Sequence, residues 1–179
     1  METVKKQLPV KLEGHETDRL IFRKLRLDDL NDMLPFFESE KAMEFFKSPL
    51  LPKNHALEWL QRQLNRYNTF GDGLYGLFLK ETHALAGMCG FIWQEVDGKE
   101  ELEIGYHLLP DYWKFGYATE AATYCRNLAR RNKLAPTIIS IIDIHNINSQ
   151  HVAMRNGMHR ERQTIFKGIP VYIYRISLQ

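Results

Sequence analysis

The chain has 179 residues, a formal net charge of +2 at pH 7, 26% charged residues and 44% hydrophobic ones, the proportions of an ordinary globular domain. So small a charge offers no basic footprint for nucleic acid or an anionic membrane, and no apolar run reaches the ~18 residues that a bilayer span needs. One domain covering 1–179 is expected, long enough to bury roughly 70% of its extended-chain surface without disulfides or a structural metal.

Residues 1–17 show no clear period and read as a leader or short edge element; the charged stretch 1–14 lacks the apolar core of a signal peptide. Leu20 and Phe22 alternate with Arg19 and Arg23, the pattern of a half-buried strand over 19–25. Asp28 or Asp29 then caps a helix carrying Leu30, Met33, Leu34 and Phe37, with Pro35 as a kink or an internal start. A short helical stretch follows near 40–46. Pro49 and Pro52 punctuate the chain. Asn54 is expected to cap a helix with Leu57, Leu60, Leu64 and Tyr67 on one face, ending near Gly71.

Strands are predicted next over 75–80 and 85–95, joined at 81–84. The Asp97-Gly98 pair, suited to two consecutive positive φ angles, turns the chain into a strand over 101–109 that Pro110 stops. A helix over 116–132 presents Ala118, Ala121, Ala122, Cys125, Leu128 and Ala129 on one side. The nearly continuous β-branched run 136–144 fits a strand covered on both faces. Asn146 or Asn148 opens another helix, which Gly157 ends. Two last strands, 158–166 and 169–178, meet at Lys167-Gly168. This order predicts a mixed α/β (α+β) domain.

Cys89 and Cys125, the only cysteines, sit in apolar stretches and read as two buried free thiols of a reducing compartment. A cytoplasmic location is therefore expected. The seven histidines show no metal-ligand spacing, and no metal is expected. Neither a phosphate-loop nor a dinucleotide glycine signature occurs.

The chemistry is concentrated in PDYWKFGYATEA, Pro110 to Ala121. A strand ends at proline, a glycine-containing loop follows, and an amphipathic helix begins. Unpaired N–H groups and the helix dipole make such a helix start a phosphate site. Gly116 lets a ligand approach the backbone, Ala118 keeps the first turn clear and Lys114 adds a cation. A tight strand-to-helix turn accounts for the glycine without any ligand.

Three blocks extend this signal: TDRLIFRKL at 17–25 with Asp28 and Asp29, LEIGYHLLPDYWKFGYATEAA at 102–122, and Asn146, Ser149, Val152 and RNGM at 155–158. In this order the chain resembles the GNAT-superfamily N-acetyltransferases, in particular the RimJ/RimL-like branch of ribosomal-protein N-terminal acetyltransferases. The wider superfamily opens its glycine motif with Gln or Arg. The branch commonly has Trp there, as here with Trp113, but follows it with glycine where this chain has Lys114.

The resemblance implies a twisted, mostly antiparallel sheet of about seven strands flanked by about four helices, splayed between the fourth and fifth strands. It implies transfer of an acetyl group from acetyl-CoA, as co-substrate, to a primary amine on a small molecule or peptide. The backbone of Tyr106, His107, Leu108 and Leu109 would pair with the pantetheine arm. The loop of Trp113, Lys114, Phe115, Gly116, Tyr117, Ala118 and Thr119 would hold the diphosphate. Asn146 would orient the arm or cap its helix, and Arg155 would meet a CoA phosphate or stand in solvent. Glu103 is the first candidate for general base and His107 the second. The plain alternative for Glu103 is a solvated carboxylate beside Glu100 and Glu101. Ser149 would protonate the leaving thiolate or merely sit in a helix's first turn; Ala153 stands where many members carry a tyrosine. Glu120 reads as structural. The acceptor pocket is expected among the helices of 28–71 and the last hairpin. Monomer and homodimer stay open, and a non-catalytic CoA-sensing or protein-interaction module is the alternative on the same fold.

Overall fold

The computed structural model describes residues 7–46 and 48–179. The reading of 1–17 thus lies partly outside the described residues. Within them Leu8 and Leu12 are buried in the core, and Glu16 bridges Ile21, so this segment is anchored apolar chain.

Strand β1 (Leu20–Arg23) follows the predicted alternation, with Leu20 and Phe22 fully buried. Asp29 does not cap the following helix through its side chain. Its carboxylate accepts the Arg26 N–H at 2.7 Å and a bidentate pair from Arg23 at 2.7 and 3.1 Å, closing a 3-10 turn, Leu27–Asp29, onto β1. Helix α1 (Leu30–Glu38) runs through Pro35, and Ser39 caps α2 (Glu40–Met43) by accepting the Ala42 N–H.

Helix α3 (Pro52–Thr69) begins earlier than the sequence suggested. Pro52, rather than Asn54, opens it, because proline's fixed φ and missing N–H suit a first helical position. Its buried face is Ala56, Trp59, Leu60, Gln63 and Tyr67, so Leu57 and Leu64 sit at the margin of that stripe. Gln63 is recruited because its amide oxygen accepts the Leu74 N–H, satisfying a buried donor.

The meander β2 (Gly73–Leu79), β3 (Leu85–Val96) and β4 (Lys99–Leu108) is antiparallel. Asp97 and Gly98 take φ of 51° and 74°, as the two-residue turn demands. Helix α4 (Tyr117–Arg131) leads to β5 (Thr137–Asp143), α5 (Ile147–Arg155), β6 (His159–Phe166) and β7 (Ile169–Ser177). The sheet order is β1-β2-β3-β4-β5-β7-β6, with every pairing antiparallel except β4 with β5. Five helices are described, one more than about four, because α2 is separate from α1.

Two apolar layers clamp the sheet. Leu102 and Ile104 of β4, with Tyr106 against them, join the core under α4 and α5. Met88 of β3 and Leu109 join the other layer, with Met33, Phe36, Trp59 and Leu60 of α1 and α3. By alternation, Glu103 and His107 lie on the α1–α3 face and Tyr106 on the α4–α5 face. Among the described residues, no helix is long and apolar enough to cross a membrane.

Candidate active site

The parallel ladder between β4 and β5 consists of one registered pair, Glu103 with Ile139. Just beyond it the Ser140 hydroxyl donates to the Ile104 carbonyl at 2.9 Å. Further along, the Tyr106 hydroxyl donates to the Ser149 carbonyl at 2.8 Å, tying β4 to the first turn of α5. The Leu109 N–H bonds Ala86 of β3. In an antiparallel strand successive N–H groups alternate in direction, so those of Tyr106 and Leu108 point towards β5. Burial raises the Tyr106 phenol far above its ordinary value, keeping it a neutral donor.

Glu103 is buried, 9% exposed, and the solvated reading of this carboxylate is thereby overturned. Gln94 of β3 donates to it at 2.9 Å, and the Ile141 N–H is a further donor. Burial pushes its carboxyl above the ordinary range, against the pull of these donors and of the Lys167 and Arg66 charges. His107 shares that face but sits in an aromatic cage, its ring centroid 4.8 Å from Phe46, 5.7 Å from Phe36 and 6.5 Å from Trp59. Desolvation lowers its pKa to about 4, so the imidazole is neutral at pH 7. Four residues of strand separate the Glu103 and His107 backbones by about 13 Å.

The loop before α4 takes an unusual course. Trp113 turns inward, its indole N–H donating to the Leu108 carbonyl at 2.8 Å, so its side chain is a strut under the loop. Lys114 and Gly116 have φ of 69° and 83°. Lys114 therefore adopts the left-handed backbone that the branch's glycine would take without cost. Lys114→Gly is expected to stabilise the protein by about 1 kcal/mol, a Tm rise of about 2–4 °C in calorimetry.

Phe115 stands 59% exposed, its ring stacked on Tyr117. Ala118 and Thr119, half-buried, form the first turn of α4. Arg19, part of the 17–25 block but given no role by the sequence, holds this loop. It donates to the Phe115 carbonyl at 2.9 Å, lies 4.4 Å over the Tyr117 ring and pairs with Glu120. Glu120 also accepts from the Thr17 hydroxyl and the Arg19 backbone. Burial alone would push its carboxyl up, but these donors together hold it below the usual range. Its structural reading stands.

Asn146 caps α5, its side-chain oxygen accepting the Ser149 N–H at 3.1 Å. Ser149 is thus fixed at both its N–H and its carbonyl, with its side chain in the first turn. Arg155 is exposed in the last turn of α5. Cys89 and Cys125 are buried and free, their sulfurs 3.9 Å apart. On the α1–α3 side a cavity of about 570 Å³ is lined by residues of 37–55, and no residue of the β6–β7 hairpin lines it.

The sequence matches the family model for the acetyltransferase (GNAT) domain over residues 19–159. The chain belongs to the GNAT acetyltransferase family. It is 26% identical to YkkB of Bacillus subtilis (strain 168), over 88% of this chain and 92% of that one. Its fold resembles that of an acetyltransferase from Agrobacterium tumefaciens str. C58, with a TM-score of 0.77 and 24% identity over 96% of this chain and 98% of that chain. The same fold is found in RimL, a ribosomal alpha-N-protein acetyltransferase solved in complex with coenzyme A, with a TM-score of 0.69 and 15% identity over 93% of this chain and 97% of that chain.

Proposed function

We propose that this chain is a single-domain cytoplasmic N-acetyltransferase that moves the acetyl group of acetyl-CoA directly onto a primary amine. The observation that carries the reading is Glu103, a buried carboxylate at the single pair joining β4 to β5, in a member of an acetyltransferase family.

The roles follow from the two faces of β4. The diphosphate is held by the N–H groups at the start of α4, where Gly116 presents open backbone and Arg19 braces the loop. The arm lies along the β4 edge, towards which the Tyr106 and Leu108 N–H groups point. The amine nitrogen attacks the thioester carbon, the C–N bond forms and the C–S bond breaks. Glu103 takes the proton from nitrogen, directly or through water, and the Ser149 hydroxyl protonates the thiolate while regaining a proton from solvent. Glu103 is favoured over His107 because its raised pKa brings it nearer to neutrality, whereas the lowered pKa of His107 makes it a weak base. Direct attack is favoured over an acetyl-thiol intermediate because both cysteines are buried and burial pushes the Cys125 thiol up.

The test is the melting temperature with and without acetyl-CoA, with acetate and ATP as controls. At one hundred times Kd the ligand stabilises by about 2.7 kcal/mol, a rise of roughly 5–10 °C for a chain of this size. Lys114→Gly is expected to shrink that rise as its cation is lost. An absent shift at millimolar ligand, or a shift without thiol release for any amine, counts against the enzyme reading.

A further inference from the structure

The cavity between α1, α2, residues 48–50 and the start of α3 differs chemically from a polyamine or sugar site. Its walls include Phe37, Met43, Phe46 and Leu50, and Glu40 is the carboxylate among its lining residues. His55, also in the lining, stacks edge-on to Phe37 at 5.2 Å. Its pKa is lowered, by burial first and then by the Arg62 charge, with Glu58 opposing, so it is neutral at pH 7. Among the described residues a polycation would find one carboxylate here and a hydroxylated sugar few partners. A large apolar group would find aromatic edges and faces suited to offset or edge-to-face packing. The cavity is also close to β4: the Phe46 ring lines it and lies 4.8 Å from the His107 ring. The Phe46 and His107 rings thus stand between a group seated in the cavity and β4.

We propose that the acceptor amine carries an aromatic or large branched apolar group, which fills this cavity while Glu40 attracts the ammonium on entry. The chemistry fits both an arylalkylamine and the free N-terminus of a peptide whose first residue is aromatic. This inference rests on the acetyltransferase reading for the fate of the amine, but the binding itself does not.

The experiment is calorimetric titration of the protein saturated with CoA, which lacks the acetyl group and so allows no turnover. The probes are phenethylamine, phenylalanyl-glycinamide, spermidine and glucosamine. Both apolar amines are expected to bind at least ~10-fold more tightly than spermidine or glucosamine, the margin that one well-filled apolar contact gives. A tighter dipeptide assigns an N-terminal acceptor; equal or tighter phenethylamine assigns a small amine. Leu50→Lys, at a rim position 36% exposed, is expected to weaken both apolar amines at least ~10-fold and to leave the CoA-induced melting shift unchanged. Met43→Trp, which fills the cavity, is expected to do the same. Tightest binding of spermidine or glucosamine, no binding of any probe, or apolar-amine affinity unmoved by either variant overturns the inference. Thiol release with spermidine alone would support the enzyme and overturn the apolar acceptor. Binding of apolar amines without acetyl transfer would leave the inference standing and count against the enzyme.

Discussion

Replacing Glu103 by glutamine is expected to lower kcat/KM for acetyl transfer by about 10²–10⁴-fold, the usual worth of a positioned general base, while making the protein more stable at neutral pH. Glutamine preserves shape and keeps an oxygen to accept from Gln94 and the Ile141 N–H, but it cannot take a proton. The stability gain follows from linkage. Burial raises the Glu103 carboxyl above its ordinary 4.5, so the folded protein binds that proton more tightly than the unfolded chain does. The stability this contributes is fully present at low pH and is lost as pH rises through the raised pKa. The glutamine variant carries no such loss. Its Tm should exceed the parent's at pH 7–8, and the two curves should converge below the ordinary carboxylate value. In the parent, kcat/KM should fall on the acid side with a midpoint above 4.5, and the variant should lack that limb. CoA affinity, measured by the melting shift, should not move. Parallel Tm curves would contradict the buried-carboxylate account, and an unchanged kcat/KM would remove Glu103 from the proton path.

That pairing of gain and loss also shows which parts of the molecule were legible in the sequence. The strand order and both two-residue turns were legible because alternation and positive-φ turn chemistry are local; Asp97-Gly98 and Lys167-Gly168 both adopt positive φ. The helix start at Gly116 was legible for the same reason. Lys114 was visible as a departure, but its left-handed backbone was not, since the loop imposes it. The environment of Glu103 depends on non-local pairing. Gln94 reaches it diagonally from β3, and Arg66 acts on it from α3, relations that appear only once the register of the meander is fixed. The burial of Gln63, the Trp59 stripe in place of Leu57 and the Arg19 brace likewise arise from tertiary contacts that override local pattern. A cavity does lie among the helices of 28–71, where an acceptor pocket was expected; its apolar character comes from side chains of three separate segments that no single periodicity links.

The second large effect lies at Asp72, where stability and the candidate base meet. Asp72 is 1% exposed, and one carboxylate oxygen accepts both the Arg66 guanidinium at 2.7 Å and the Trp93 N–H at 2.9 Å. Arg66 in turn donates to the Trp93 carbonyl at 3.2 Å. The pair thereby fastens the last turn of α3 to the middle of the sheet. Asp72→Ala strands a largely buried guanidinium and leaves the Trp93 N–H without this acceptor. A broken buried pair costs about 3–5 kcal/mol, so a Tm loss on the order of 10 °C is expected. High salt should not erase the difference, because screening acts weakly on charges shielded from solvent. Asp72→Asn retains an acceptor for Trp93 and should lose less, which leaves enough folded enzyme for kinetics. In that variant Arg66 is no longer neutralised, and its positive charge favours the ionised form of Glu103 more strongly. The acid limb of kcat/KM should therefore move to lower pH, opposite to the effect of simple loosening, which would only scale the profile. A limb that stays in place while Tm falls would mean that Arg66 and Glu103 are electrostatically independent, and Asp72 would then serve the fold alone.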